Sequence, residues 1–158
     1  MKRLISFIAF INAIIISFAQ TPDPLLLKKA TKGNTDAQNE LGVFYMNNNN
    51  VMNAIEWWEK AADKGHRDAM ANLGEYYFNS EDYIQAIVWL SQASEKGHPQ
   101  ATFRMAQCFK YGLGIQKEPQ TALKLSLKAA DKGNINAYLL TAIIYEEEDF
   151  GNYYLAKI

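Results

Sequence analysis

Lys60-Ala-Ala-Asp-Lys-Gly-His66 decides the fold, because close copies of this heptapeptide recur along the chain. It returns as Gln92-Ala-Ser-Glu-Lys-Gly-His98 and as Lys128-Ala-Ala-Asp-Lys-Gly-Asn134, and a shorter copy ends at Asn34. The copies are 32, 32 and 36 residues apart, as measured between Gly33, Gly65, Gly97 and Gly133. Such a period is typical of a solenoid, in which each unit buries its apolar face only against its neighbours.

A first helix, helix A, is predicted after each glycine. In the first unit its marker residues are Ala37, Leu41, Gly42 and Tyr45, and similar residues recur at these positions in the later units. Intervals of four, five and eight residues from the alanine place them on one face of an α-helix. The Gly42 position holds only Gly or Ala, which lets a second helix approach closely. Close approach explains a glycine that costs about 1 kcal/mol of helix propensity.

A second helix, helix B, is predicted from a further apolar stripe, which in the first unit comprises Ala54, Trp57, Trp58 and Ala61. It ends at the repeated glycine, which supplies the left-handed residue after a helix. Asp23 before Pro24 predicts the N-cap of an additional helix B ahead of the first unit. We therefore predict an all-α fold, a right-handed α-α solenoid. Its predicted parts are a capping helix at 20–32 and units at about 33–64, 65–96, 97–132 and, incomplete, 133–158.

The first 19 residues predict a secretory signal peptide. Lys2 and Arg3 precede a largely apolar run at 4–18, and Ser17 and Ala19 are small residues suited to cleavage after position 19. The run is short for a bilayer span, which needs about 20 residues. We expect a cleaved signal and an exported protein, periplasmic or extracellular. Contact with a membrane is expected only if this segment is retained as an anchor.

Composition and charge narrow the classes of partner. Without residues 1–19 the chain has 14 basic and 17 acidic residues, a net charge of −3, and no basic stripe. A phosphate backbone would find little to bind, so nucleic acid is not an expected partner. Hydrophobic residues make up 49% of the chain, enough for a packed core. Cys108 is the one cysteine, so no internal disulfide can form and helix packing must hold the fold.

The order of residues within a unit resembles known helical repeats. Leu41, Gly42, Tyr45 and Trp58 follow the order of the tetratricopeptide core. Tyr-Gly-Leu-Gly-Ile at 111–115 lengthens the turn of the third unit, and a Gly-x-Gly turn followed by Ile or Val resembles the hallmark of the Sel1-like repeat (SLR) family. Trp57, Trp89 and the Ala-Ala-Asp-Lys-Gly endings also resemble that family. The resemblance covers 25–158; units one and two lack the Gly-x-Gly turn, and the fourth unit departs most.

The resemblance implies a scaffold or adaptor that assembles protein complexes, often exported in bacteria. A cysteine-rich branch of the family includes members described as binding or slowly hydrolysing penicillin-type substrates, but a chain with one Cys does not resemble that branch. Two alternatives stay open. One is a hydrolase of cell-wall or β-lactam-like material, and the other is a truncated fragment of a longer repeat array.

The register of the tetratricopeptide groove selects candidate contacts for a protein or peptide partner on the concave face. Side-chain amides and charges beside aromatic rings suit a peptide, because amides can meet main-chain groups while rings anchor it. The candidates are Asn39, Glu75, Phe78, Phe103, Lys110 and Tyr111.

Other conspicuous residues are interpreted as structural. His66 and His98 stand one repeat apart, too far to share a metal, and are predicted turn residues. Cys108 falls in an apolar column and is predicted to be a buried small side chain. Gly112 and Gly114 form a turn without the Lys of a phosphate loop. No Ser-x-x-Lys, Gly-x-Ser-x-Gly or His-Glu-x-x-His motif is present. We expect no enzyme activity, cofactor or metal.

Overall fold

The computed structural model describes residues 21–147. The predicted signal peptide at 1–19 and the end of the fourth unit lie outside the described residues. Within 21–147 the chain forms helices and no strand, which confirms the all-α prediction. The helices are α1 Pro24–Thr31, α2 Thr35–Asn47, α3 Val51–Ala62, α4 Arg67–Asn79, α5 Tyr83–Glu95, α6 Pro99–Tyr111, α7 Pro119–Asp131 and α8 Ile135–Glu147.

Each predicted helix A begins at a side-chain cap placed directly after a left-handed glycine. The four glycines have φ values of +82° to +91°, a region that other residues enter only with strain. The next residue accepts a hydrogen bond from the backbone N–H three positions on, which satisfies one of the unpaired donors at a helix start. These caps are Asn34, His66, His98 and Asn134. The predicted turn residues therefore start the helices as well.

Residues 21–61 belong to one compact unit. Asp23 caps α1 by accepting from the backbone N–H of Leu25 at 3.0 Å, as its place before Pro24 predicts. Helices α1 and α2 pack around Ala30, Ala37 and Leu41, with Tyr45 and Trp57 against them. The ring of Trp58 on α3 lies against Gly42, where a methyl group would overlap it. The small column therefore does what the sequence predicts: it lets helix B approach helix A.

The second compact unit begins at Ala62 and comprises α4 to α8 in the described residues. Consecutive helices pack on one another, and α6 also contacts both α4 and α8. Leu90 of α5 is fully buried against Gly74 of α4, which repeats the Trp58–Gly42 arrangement. At the far end, α6, α7 and α8 share an apolar cluster formed by Phe103, Ala106, Ala122, Leu123, Ala129, Ala130, Ala137, Leu140 and Ile144.

The Gly-x-Gly turn after α6 depends on two glycines for different reasons. Gly112 ends α6 in the left-handed conformation, with φ +71°. Gly114 also has a positive φ, +67°, and a Cβ there would lie 2.8 Å from Cβ of Tyr83 at the start of α5. The longer turn of this repeat thus packs against the preceding helix B. No helix within 21–147 combines the length and apolar character needed to cross a bilayer.

Candidate protein-binding surface

The A-face is the name used here for the surface that α4 and α6 share around the guanidinium of Arg104. Arg104 Nε donates to Glu75 Oε2 at 2.9 Å, and Arg104 Nη2 donates to the same carboxylate. Nη1 donates to Gln107 Oε1 at 3.0 Å. The guanidinium carbon lies 4.5 Å from the centroid of the Phe78 ring, and Tyr83 packs edge-on against that ring. Neighbours on two helices therefore hold the Arg104 side chain.

This arrangement fixes polar and aromatic groups while leaving them partly exposed. The side chains of Arg104 and Glu75 are 20% and 32% accessible. A fork-shaped Arg–carboxylate pair is directional, and the ring beneath the guanidinium adds cation–π attraction. Ion pairs at such exposure add little net stability, because desolvation offsets most of the attraction. The ion pair and the ring mainly order these side chains, which therefore present a defined surface to solvent.

A second ion pair joins α6 to α8. Lys110 Nζ lies 2.5 Å from Glu147 Oε2 and 4.8 Å from the centroid of the Tyr111 ring. The Lys110 side chain is only 4% accessible, whereas that of Glu147 is 53% accessible. Tyr111, the next residue, is 52% exposed. The amine is thus part of the packing between helices, and the aromatic ring beside it faces solvent.

The six predicted contact residues do not all reach the surface. Glu75 and Phe78 meet at Arg104, and Tyr111 is exposed, so these three are available to a partner. Phe103 is 7% exposed within the apolar cluster of α6, α7 and α8. The expectation of an exposed Phe103 is wrong, because its ring fills space between these helices. Lys110 is likewise buried in its ion pair.

Asn39 is partly buried on α2, in the other compact unit, and is described there alone. The binding role of all six residues stays a prediction.

Arg104 is the residue that the sequence reasoning missed. It lies 29 positions from Glu75, and no local motif links the two. A signal was nevertheless present in the repeat. The column of Ala37, Ala69, Ala101 and Ala137 keeps one residue in every unit, whereas the column of Glu40, Asn72, Arg104 and Leu140 changes completely. A variable column on otherwise regular helices indicates a position whose side chain serves individual contacts.

The surroundings of Cys108 do not suit a nucleophile. Burial raises the pKa of the Cys108 thiol to about 11, and the side chain is fully buried, which confirms its prediction as a small core residue. A nucleophilic cysteine would need a lowered pKa and access to solvent. Among residues 21–147, no three or more His, Cys, Asp or Glu side chains are grouped to hold a metal ion.

Comparison with known proteins places these repeats in a family. The Sel1 repeat model matches three successive segments, residues 35–66, 67–98 and 99–134. No curated protein sequence matches the chain. A Sel1 repeat protein from Oxalobacter formigenes, known from its crystal structure, is 30% identical with a TM-score of 0.67. That match covers 74% of this chain and 94% of the other.

A second similar crystal structure is that of a protective antigen present in uropathogenic Escherichia coli strains, which displays an SLR fold. It is 32% identical with a TM-score of 0.72, and the match covers 78% of this chain. It covers 29% of the antigen, so this chain spans less than a third of the antigen's length. Matches to the family over most of the chain, together with the repeated helix pairs described above, establish that this chain belongs to the Sel1 repeat family.

Proposed function

We propose that the chain is an exported, non-enzymatic scaffold that binds a protein partner through the A-face. Sel1 repeats are typically scaffolds for protein–protein interaction and generally non-catalytic. The proposal depends on one observation: contacts with Glu75, Gln107 and Phe78 hold Arg104 at a partly exposed site. The other units carry Glu40, Asn72 and Leu140 at the position of Arg104, so the same set of contacts does not recur in them.

A surface whose side chains are already ordered favours binding, because ordering side chains during association costs free energy. A free arginine or glutamate side chain loses rotamer freedom when a partner fixes it, and this costs about 0.5–1.5 kcal/mol per side chain. In the A-face the ion pair and the ring have already restricted Arg104. Binding energy in protein interfaces also concentrates in Arg, Tyr and Trp. Arg104 and the exposed ring of Tyr111 therefore supply a fixed polar contact and an aromatic anchor on the same helix.

The test compares matched variants of one purified protein. Crosslinking in the native envelope first identifies a partner, and its Kd is then measured. We expect Tyr111→Ala and Gln107→Ala to weaken binding, the tyrosine change by about thirtyfold or more, since hot-spot truncations cost about 2 kcal/mol or more. Ile84→Ala on α5 and Leu127→Ala on α7 are the controls, because both residues are exposed on B helices. Loss of binding in the controls alone would move the interface away from the A-face.

Two further measurements address export and the absence of catalysis. Export is supported by Lys2, Arg3 and the apolar run at 4–18. We expect the exported protein to begin at Gln20, as N-terminal sequencing or mass spectrometry would reveal; an intact Met1 in an envelope fraction would favour an anchor. The non-enzymatic proposal is tested with purified protein and a β-lactam substrate. Turnover that disappears on a single substitution would contradict it.

A further inference from the structure

His98 caps α6 with an atom whose acceptor character depends on pH. Its Nδ1 accepts a hydrogen bond from the backbone N–H of Ala101 at 3.2 Å. An imidazole nitrogen accepts only while it carries no proton, so this cap requires the form protonated at Nε2 alone. Asn134 occupies the same position before α8 and accepts from the N–H of Ala137 at 3.1 Å. Its amide oxygen accepts at any pH, which makes the next repeat a natural reference.

The other ring nitrogen of His98 faces a carboxylate on the preceding helix A. Nε2 lies 3.8 Å from Asp68 Oδ1, too far for a hydrogen bond but within reach of a small ring movement. Asp68 also accepts from Arg67 Nε at 2.9 Å. Glu75 of α4 adds a more distant negative charge. Two lysines lie near these turns. Lys96 lines a pocket together with Asp68, and Lys132 Nζ approaches the carbonyl oxygen of Gly97.

We propose that His98 is a pH-sensitive switch between two contacts. The neutral ring caps α6 through Nδ1, whereas the imidazolium, having taken one proton from solvent at Nδ1, pairs through Nε2–H with Asp68 of α4. Protonation then sets two N–H groups against each other at the start of α6 and places a positive charge at the positive end of the helix dipole. The N-terminal turn of α6 then loses its side-chain cap, and the His98 ring pairs with Asp68 of the preceding repeat instead.

The environment of His98 sets the direction of the effect. Burial lowers the pKa of His98, Arg67 lowers it further, and Asp68 and Glu75 oppose this, leaving the pKa below 6.5. A group with a pKa lower in the folded than in the unfolded chain contributes stability that is present above the unfolded value, about 6.5, and lost as the pH falls. Burial raises the pKa of Asp68, but Arg67 and the two histidines lower it below 3.8 overall. Asp68 therefore remains ionised while His98 titrates.

The first test follows amide signals of the full chain by NMR between pH 7.5 and 5. We expect the His98 ring and the Ala101 amide to titrate with one midpoint below 6.5, while the Ala137 amide stays fixed. Hydrogen-exchange protection of Ala101 relative to Ala137 should fall about fivefold across that midpoint, the ratio that corresponds to loss of an ordinary N-cap. An Ala101 amide that does not respond while the His98 ring titrates would overturn the proposal, and this measurement needs no variant.

Two substitutions separate the cap from the ion pair. His98→Asn installs the residue that caps α2 and α8, so we expect a folded protein whose Ala101 amide no longer titrates. Persistence of the titration in His98→Asn would contradict the switch. Asp68→Asn removes the negative charge that attracts the imidazolium, so the His98 midpoint should move to lower pH; an unchanged midpoint would remove Asp68 from the mechanism. His66, which caps α4 in the same way, is retained in both variants.

Discussion

Gly74 tests the claim that a small residue allows helices A and B to pack. A Cβ at this position would lie 2.7 Å from both Cγ and Cδ2 of Leu90 and 3.1 Å from the Leu90 backbone nitrogen. On an open helix, Gly→Ala would add about 1 kcal/mol of stability through helix propensity. In a packed interface, overpacking costs about 1–3 kcal/mol. The backbone nitrogen cannot move aside, and Cγ of the fully buried Leu90 can do so only by a rotamer change inside the core, so we expect Gly74→Ala to lower the free energy of unfolding by up to about 2 kcal/mol.

Leu90→Ala supplies the background that isolates this contact. Leu90 is fully buried, so its truncation alone should cost about 2–5 kcal/mol. Of these three close contacts, only the one with the backbone nitrogen remains once Cγ and Cδ2 are removed, so much of the helix-propensity gain of up to about 1 kcal/mol should return. The two substitutions should therefore be coupled by about 2 kcal/mol in a double-mutant cycle. In the third repeat the equivalent pair is Ala106 and Ser126, a larger residue opposite a smaller one.

Urea unfolding followed by circular dichroism measures the cycle. The four proteins should share one m-value, so that midpoints report stability. Ala106→Gly is the matched control, because it removes a methyl group where the repeat tolerates one, and it should cost about 1 kcal/mol or more. Equal stabilisation by Gly74→Ala in both Leu90 backgrounds would refute the close-approach reasoning. It would mean that helices α4 and α5 can separate at no cost.

Three further outcomes are expected. Leu73→Ala should destabilise the fold by about 2–5 kcal/mol in urea titrations, because Leu73 is fully buried, and a loss below about 1 kcal/mol would contradict its core role. Glu147→Gln should destabilise more than Lys110→Met, because the first leaves a buried ammonium group without its counter-charge and the second leaves an exposed carboxylate in water; the reverse order would show that Lys110 reaches solvent. Cys108 should react with a thiol reagent at pH 8 only as fast as the protein opens, since the thiol is buried and its pKa is about 11. Modification faster than hydrogen exchange of the core would show that the thiol is accessible.

Much of the fold could be predicted from the sequence, because it depends on the spacing of residues that are close along the chain. The intervals after Ala37 predicted helix A, the glycine at Gly65 and its counterparts predicted helix ends, and the Gly42 column predicted close packing. Each of these depends on residues within one or two helical turns, or on backbone conformation at one position. The capping role of His66 and His98 was less visible, because His is a less common N-cap than Asn, Asp or Ser. The repeat itself gave the clue, since Asn34 and Asn134 share the column.

The sequence by itself determined the helix pairs, their ends and the small residues between them, because hydrophobic period and turn chemistry act locally. Only the tertiary structure decided which side chains of helix A reach solvent. Phe103 and Leu139 share a column, yet the first is buried in the apolar cluster and the second is 66% exposed. Burial depends on the neighbouring helices and on side-chain size, and the ion pair of Arg104 joins residues 29 positions apart. Such contacts arise from how helices cross, which no periodicity within one helix encodes.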